Sequence, residues 1–150
     1  MKKHLFIILY WFLSLTWGII ASAIGAVVSL FAIIFGGKPH KNGCTIIIEI
    51  GEHWGGLELG CFALCSNYSK NNPSYYEEIR RHEFGHSIQN IILGPFFIFI
   101  VSIPSAIRYW YERIANSHGK YFPADWYDSI WFEGTATRVG TKIINWLESK

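Results

Sequence analysis

Charged residues are scarce in this chain, and its basic residues form no dense cluster. Charged residues make up 16% of the 150 residues, whereas roughly 25% is typical of soluble domains. The net charge is only +2 at pH 7, and nucleic-acid-binding proteins concentrate Lys and Arg on one face or along one helix. We therefore expect no nucleic acid partner. Hydrophobic residues make up 51% of the chain, and this composition favours association with a lipid bilayer.

Cysteine is also scarce, and its spacing contains no metal motif. The cysteines Cys44, Cys61 and Cys65 show neither CxxC nor zinc-ribbon spacing. We interpret them as small apolar core residues. One disulfide among them stays open as an alternative, which requires that this part of the chain face an oxidising compartment.

The longest stretch without charge runs from Leu5 to Phe35. About 20 apolar residues cross a hydrocarbon core as a helix, so this run predicts one transmembrane helix. It is longer than the hydrophobic region of a cleaved signal peptide, which has about 7–15 residues. Residues 1–41 are therefore predicted to be an N-terminal transmembrane anchor. A tight hairpin of two short helices that turns near Gly18 or Gly25 is the alternative.

Residues 42–150 are predicted to form one metal-binding domain, which makes the whole chain an α+β membrane protein. β-Branched and apolar residues on either side of Gly55-Gly56 predict a hairpin of two strands, over 45–51 and 57–64.

Two helices are predicted in the second half of the chain. Ser74 and Glu77 stand at capping-box spacing and predict a helix over 75–93. Another helix is predicted over 128–148, with Asp128 as its cap.

The first of these helices carries the motif HEFGH, which has the spacing of metal ligands. His82 and His86 stand four residues apart, so both imidazoles project from one face and can bind one cation. Glu83 lies beside that face, where its carboxylate can take a proton from a metal-bound water. Gly85 predicts that another backbone approaches this helix closely. The alternative is a pair of solvated histidines on an amphipathic helix.

A catalytic zinc ion needs a third protein ligand and one open position. The metzincin spacing is excluded, because Ile92 stands where that pattern has its third histidine. Glu133 is the predicted third ligand. It shares one face of the last predicted helix with Ala136 and Gly140, and these small residues would let that helix lie close to the histidine helix.

Two other histidines are weaker candidates for the third ligand. His118 is the runner-up, although it lies in a turn where an exposed histidine usually has no such role. His53 comes third, because the end of a strand can also supply a ligand.

These segments resemble a known family. HEFGH followed by EGTA, which begins at Glu133, is similar to the pattern HExGH…ExxA[D/N] of membrane-anchored gluzincin zinc metalloproteases. More closely, HEFGHSIQN-IILGPFFIFIVSIPSAI, preceded by WGGLELG, is similar to small bacterial membrane proteins with an HEYGHxxQ…LGPLYL…GxPS core. The resemblance covers roughly residues 54–140, and only the HExxH motif is strongly diagnostic.

The resemblance implies that His82, His86 and Glu133 bind Zn²⁺ and that Glu83 is the catalytic base. It implies a zinc-dependent metallopeptidase in the bacterial inner (cytoplasmic) membrane that cleaves a peptide or a membrane-proximal protein. Thr137 departs from the pattern, which has Asp or Asn there to orient the first histidine. The alternatives are a catalytically weak or inactive metal-binding membrane scaffold, and a membrane immunity or accessory protein with incidental histidines.

The apolar segment 88–107 is the last feature with a consequence for the site. Gly94-Pro95 and Pro104 divide it into pieces that are too short to cross a membrane alone. A complete crossing would place His82 and Glu133 on opposite sides of the bilayer, where they could not share a metal ion. We therefore expect a re-entrant or interfacial segment, with a full second crossing as the alternative.

Overall fold

A computed structural model describes residues 2–67, 69–123 and 125–149. Within these ranges the chain forms five α-helices and one four-stranded sheet, so the predicted α+β class is confirmed. The elements are α1 (Lys2–Leu15), α2 (Ile19–Ile34), β1 (Lys38–Asn42), β2 (Thr45–Glu49), β3 (Gly56–Leu59), β4 (Phe62–Cys65), α3 (Pro73–Leu93), α4 (Ile103–Ser117) and α5 (Trp131–Glu148).

The N-terminal apolar run is divided into two helices. α1 and α2 meet at an angle of 89°, so the prediction of one continuous helix over Leu5–Phe35 is wrong. Gly18 lies at the bend, and a Cβ there would overlap the side chain of the buried Asn90 on α3. The Ser22 hydroxyl donates a hydrogen bond across the bend to the carbonyl of Ser14, at 2.9 Å. Packing against α3 therefore determines where the helix is interrupted. The bend lies at Gly18, one of the two glycines considered for the alternative helical hairpin.

No helix among the described residues is by itself long and apolar enough to span a membrane. Two bent pairs of helices have the required length and composition. One pair is α1 with α2. The other joins Pro73–Phe96 to Ile98–Ser117, with a bend of 117° between them. These elements expose large apolar side chains, including Ile8, Phe12, Leu30, Phe31, Phe99 and Ile107. Membrane association therefore stays a prediction, and these exposed side chains are the surface that it concerns.

The sheet has the strand order β1-β2-β4-β3. β1 and β2 form one antiparallel hairpin, β3 and β4 form another, and β2 pairs with β4 in parallel. The predicted hairpin of 45–51 with 57–64 is therefore wrong. The second predicted strand is itself a hairpin, because the chain turns at Gly60, whose φ of 77° favours glycine.

Helices cover both faces of this sheet. Ile47, Ala63 and Cys65 pack against Ile79 of α3 on one face, and Ile48 and Leu64 pack against α2 on the other. Successive side chains of a strand point to opposite faces, so the apolar runs of β2 and β4 are buried on both sides. The three cysteines are buried and carry free thiols. The edge strand β3 remains beside α3, where the HEFGH motif lies.

α3 begins close to its predicted start, but a different residue caps it. The side chain of Asn72 accepts a hydrogen bond from the backbone N–H of Tyr75, at 3.3 Å. The Ser74 hydroxyl, predicted to be the cap, bonds to Asn72 instead, at 3.0 Å. Pro73 occupies the first turn, where a missing N–H has no cost. The helix ends at Leu93, as predicted.

The apolar segment after α3 does not continue straight. Gly94 has a φ of 56°, a 3₁₀ turn spans Gly94–Phe96, and a π-helical turn spans Ile98–Ser102 before α4 begins. The segment is therefore bent, and its re-entrant or interfacial course stays a prediction.

α3 and α5 pack against each other at unusually short range. A Cβ at Gly85 would overlap the backbone carbonyl of Ala136, and a Cβ at Gly140 would overlap the carbonyl of Arg81. The sequence prediction that small residues allow this approach is confirmed. On another side of α3, Phe84 packs with Ile144 of α5 in the main core.

Replacing Gly85 with alanine tests this helix contact. In an exposed helix interior the change stabilises by about 1 kcal/mol, because glycine is the poorer helix former. Here the added methyl group would overlap the Ala136 carbonyl, and overpacking of this kind costs about 1–3 kcal/mol. We expect the thermal unfolding transition, followed by circular dichroism in detergent, to fall by several degrees.

Gly55→Ala is the matched control, because a Cβ there makes only ordinary contact with Tyr109, at 3.5 Å. If Gly85→Ala melted at the wild-type temperature, as Gly55→Ala should, the close packing of α3 and α5 would be contradicted.

Candidate metal centre

Three polar side chains from α3 and α5 converge in the interior. The Nε2 atoms of His82 and His86 lie 3.0 Å apart. Oε2 of Glu133 lies 3.0 Å from the first and 3.1 Å from the second. Glu133 is 0% exposed and His86 is 4% exposed. The structure thus brings together the residues that the sequence predicted as ligands, and this group could bind a metal ion.

Position along the helices explains this convergence. His82 and His86 are one turn apart on α3, so their rings share a face. Glu133 lies in the first turn of α5, where the helix dipole favours a carboxylate. The short distance between the helices at Gly85 then brings the carboxylate within reach of both rings. Ligands from before and after the apolar segment 88–107 therefore lie together.

The ring of His86 is held by Gln89, three residues further along α3. The Gln89 amide nitrogen donates to the carbonyl of Phe132, at 2.7 Å. Its Oε1 therefore accepts a hydrogen bond from Nδ1–H of His86, at 2.8 Å. With Nδ1 of His86 donating to Gln89, the Nε2 atom faces the Glu133 carboxylate and is the ring atom that can bind a metal ion.

The ring of His82 is held by Thr137, and through it by Asp128. The Thr137 hydroxyl donates to Oδ1 of Asp128, at 3.2 Å. It therefore accepts a hydrogen bond from Nδ1–H of His82, at 2.8 Å. The Thr137 hydroxyl thus connects His82 to the carboxylate of Asp128. Although Thr137 departs from the gluzincin pattern, the first histidine is still linked to an acidic residue.

Arg108 on α4 holds the turn that carries Asp128. Its Nε donates to the carbonyl of Tyr127, at 3.2 Å, and its guanidinium donates to the Ser129 hydroxyl, at 2.9 Å. The guanidinium also stacks on the Trp126 ring, 3.6 Å from the ring centre. A planar, permanently charged group suits this combination of hydrogen bonds and stacking.

The electrostatics of the group favour a positive charge at its centre. Burial alone would raise the pKa of Glu133, but hydrogen bonds from His82 and His86 hold it well below its usual range. Burial alone would lower the pKa of His82, but the hydrogen bond with Glu133 and the charge of Glu83 raise it. The His82 ring and the Glu133 carboxylate therefore each stabilise the charged form of the other.

The distances within the group fit a small divalent cation. Bonds of about 2.0–2.1 Å at tetrahedral angles place ligand atoms roughly 3.3 Å apart. The distances of 3.0 to 3.1 Å found here are slightly shorter, so a small outward movement of the three side chains accommodates the ion.

Glu83 lies beside this group without joining it. Its side chain is 5% exposed, and it packs so closely on Gly56 of β3 that a Cβ there would overlap its carboxylate. Burial is the main cause of a raised pKa, which the nearby histidines partly offset. A carboxylate with a pKa shifted toward neutrality is suited to accept a proton and release it.

Two concave spaces meet at Glu83 and His82. The first, named here the inner cavity, has a volume of about 230 Å³ and is lined by β3, α3 and the start of α4. The second, the outer groove, has about 650 Å³ and runs along α3 toward Asp128 and Thr137. Both are lined by Gly56, Tyr109 and Tyr127 as well as by His82 and Glu83.

The other histidines that the sequence suggested lie elsewhere. His118 is exposed at the end of α4, where its Nδ1 lies 2.8 Å from the carbonyl of Ile114. His53 is exposed with a φ of 59°. Across the described ranges, the convergent ligand group contains neither of them.

Three acidic or amide residues near the site were not predicted as site residues. The contact of Gln89 with His86 could have been predicted, because Gln89 lies three residues after His86 on the same helix face. Asp128 was expected to cap α5 but bonds to Thr137, and no sequence spacing reveals that contact. Glu58 stands between two leucines on β3 and is buried, at 4% exposure.

No protein-family model, curated protein or solved structure matches this chain. The resemblance to gluzincin metalloproteases therefore stays a prediction.

His82→Ala and Glu133→Ala should each abolish metal binding. Each removes one of only three ligands and leaves the other buried groups without a counter-charge. We expect about one metal ion per wild-type chain and almost none in the variants, measured by plasma mass spectrometry on protein purified in detergent. His118→Ala is the matched control and should keep its ion. A wild-type chain without metal would contradict the site.

Thr137→Val should weaken metal binding about 10–100-fold without removing a ligand. Valine keeps the shape of threonine but leaves Nδ1–H of His82 without an acceptor and Asp128 without a donor. Competition with a chelator of known affinity measures the change. Thr137→Ser keeps the hydroxyl and should bind like the wild type; equal loss in both variants would mean that packing, not the hydrogen bond, is responsible.

Proposed function

We propose that this protein is a membrane-associated, zinc-dependent metallopeptidase. The observation that supports it best is the convergence of His82, His86 and Glu133, with the carboxylate of Glu83 beside them at the junction of two cavities. Two imidazoles and one glutamate form a donor set found in catalytic zinc sites, which keep a further position open. Because Nδ1 of each ring donates to Thr137 or Gln89, each ring would bind zinc through Nε2 after loss of the proton there.

The residues divide the work of hydrolysis between them. A zinc ion bound there would lower the pKa of a water molecule to about 7 and polarise the carbonyl of the substrate. Glu83 would accept the proton of the attacking water and deliver it to the leaving amine. Its buried position and raised pKa suit both transfers. Gln89 and Thr137 would keep the two imidazole rings in their orientations during the reaction.

A peptide substrate is favoured by the position of β3. This strand is at the edge of the sheet and pairs only with β4 among the described strands. An edge strand leaves alternate backbone N–H and C=O groups unpaired, and an extended peptide can bond to them. Because Gly56 at the start of β3 touches Glu83, a peptide bound along the strand would pass the site.

Exposed apolar side chains support a location at the membrane. They cover α1, α2 and the bent segment between α3 and α4, and lipid would cover them at no cost. Cleavage at the ligand group between α3 and α5 is accordingly proposed to take place at the membrane surface.

The alternative of an inactive metal-binding scaffold rested on Thr137 and on the small size of the protein. The contact of the Thr137 hydroxyl with Asp128 weakens the first argument, because a carboxylate still supports His82.

Glu83→Gln tests the peptidase proposal. The amide keeps the size of the side chain but cannot accept the proton, so hydrolysis should fall by at least about 100-fold while the zinc content stays at the wild-type value. Zinc-loaded protein in detergent would be incubated with a diverse peptide mixture, and new termini would be counted by mass spectrometry.

Glu52→Gln is the control, since it makes the same chemical change on an exposed loop. If Glu83→Gln cleaved peptides as fast as the wild type, or if the zinc-loaded wild type cleaved none, the peptidase proposal would fail while the metal site would stand.

A further inference from the structure

Glu58 on β3 is a buried acid without a partner. Its side chain is 4% exposed, whereas the preceding Leu57 is 37% exposed, so the strand presents its acid inward and its leucine outward. Neither carboxylate oxygen has a hydrogen-bond partner among the described residues. A buried polar group without a partner costs free energy, and in native structures it calls for an explanation.

The inner cavity supplies the setting for this acid. Glu58 and Glu83 both line it, and among the described lining residues there is no Lys or Arg to neutralise them. Burial and the neighbouring Glu83 raise the pKa of Glu58 well above its usual range. The carboxyl group thus has neither a hydrogen-bond donor nor a Lys or Arg beside it among the described lining residues.

The walls of the cavity are suited to a cation. Five aromatic side chains line it, and the faces of such rings attract ammonium and guanidinium groups. They are Trp54, Phe97, Tyr109, Trp110 and Tyr127. The volume of about 230 Å³ is below the roughly 300–1,000 Å³ of ordinary small-ligand pockets, so the cavity has room for one side chain or chain end.

We propose that the inner cavity is a specificity subsite that binds a primary ammonium group of the peptide substrate through Glu58. The ammonium belongs either to a lysine side chain next to the scissile bond or to a free N-terminus. This inference rests on the proposed peptidase function, since it names the substrate class of the same site. The ammonium would supply the donors that both oxygens of Glu58 lack, and aromatic rings would surround its alkyl stem.

Binding of matched peptides to the inactive Glu83→Gln protein tests the subsite. This background prevents cleavage and leaves Glu58 as the only acid lining the cavity among the described residues. Two alanine pentapeptides, acetylated and amidated, would carry either lysine or norleucine at the centre, so that they differ only in the ammonium group. A third would carry norleucine and a free N-terminus. Calorimetry on the zinc-loaded protein would give the three dissociation constants.

We expect one of the two ammonium peptides to bind at least tenfold more tightly than the neutral peptide, and the tighter one identifies the source of the ammonium. Adding Glu58→Gln should bring all three dissociation constants within about twofold. Adding Glu52→Gln, the matched control, should leave the preference intact, and Glu58→Asp should retain part of it because it keeps the charge.

Several results would overturn the subsite. One is equal binding of all three peptides to Glu83→Gln; this comparison needs no folded Glu58 variant. Another is a preference that survives Glu58→Gln. A third is two zinc ions per wild-type chain with one lost in Glu58→Gln, which would make Glu58 a metal ligand.

Failure of the subsite and failure of the peptidase remain distinguishable. A chain that binds one zinc ion and cleaves peptides without regard to charge would contradict only the subsite. A chain that prefers the ammonium peptide but hydrolyses nothing would contradict only the peptidase.

Discussion

The close approach of α3 and α5 is the constraint on which the site depends. Gly85 and Gly140 let each backbone lie against the other, and this approach brings the carboxylate of Glu133 to both histidines. A helix pair separated by ordinary side chains has axes about 8–10 Å apart, and a glutamate must then extend fully to reach its neighbour. Here the short distance places Glu133 in a buried position, where its carboxylate is fixed and strongly coupled to the rings.

Supporting residues make this group rigid from the outside. Gln89 anchors one ring to the start of α5, and Thr137 with Asp128 anchors the other to the turn before it. Arg108 in turn fixes that turn to α4. α4 is thereby connected to the metal centre through the turn. This connection also fixes the end of the apolar segment that leads into α4.

Sequence patterns gave the local part of this arrangement. Helix periodicity was enough to place His82 and His86 together and to put Glu133, Ala136 and Gly140 on one face, because such patterns depend only on neighbours along the chain. Strand pairing was not predictable, since the parallel contact of β2 with β4 joins segments that the sequence does not mark as partners. The bend at Gly18 depends on Asn90 of another helix, so composition alone predicted a straight helix. The roles of Asp128 and Glu58 likewise arise from tertiary contacts.

The separation of the ligands along the chain has a consequence for how the protein reaches its folded state. His86 and Glu133 are 47 residues apart, and the bent apolar segment lies between them. An ion held by both would act as a reversible crosslink, and closing a loop of this length removes roughly 4 kcal/mol of conformational entropy from the unfolded chain. During synthesis the histidine pair emerges first and can hold an ion only weakly. Capture becomes firm when α5 docks, so metal supply would decide how completely the second half of the chain folds.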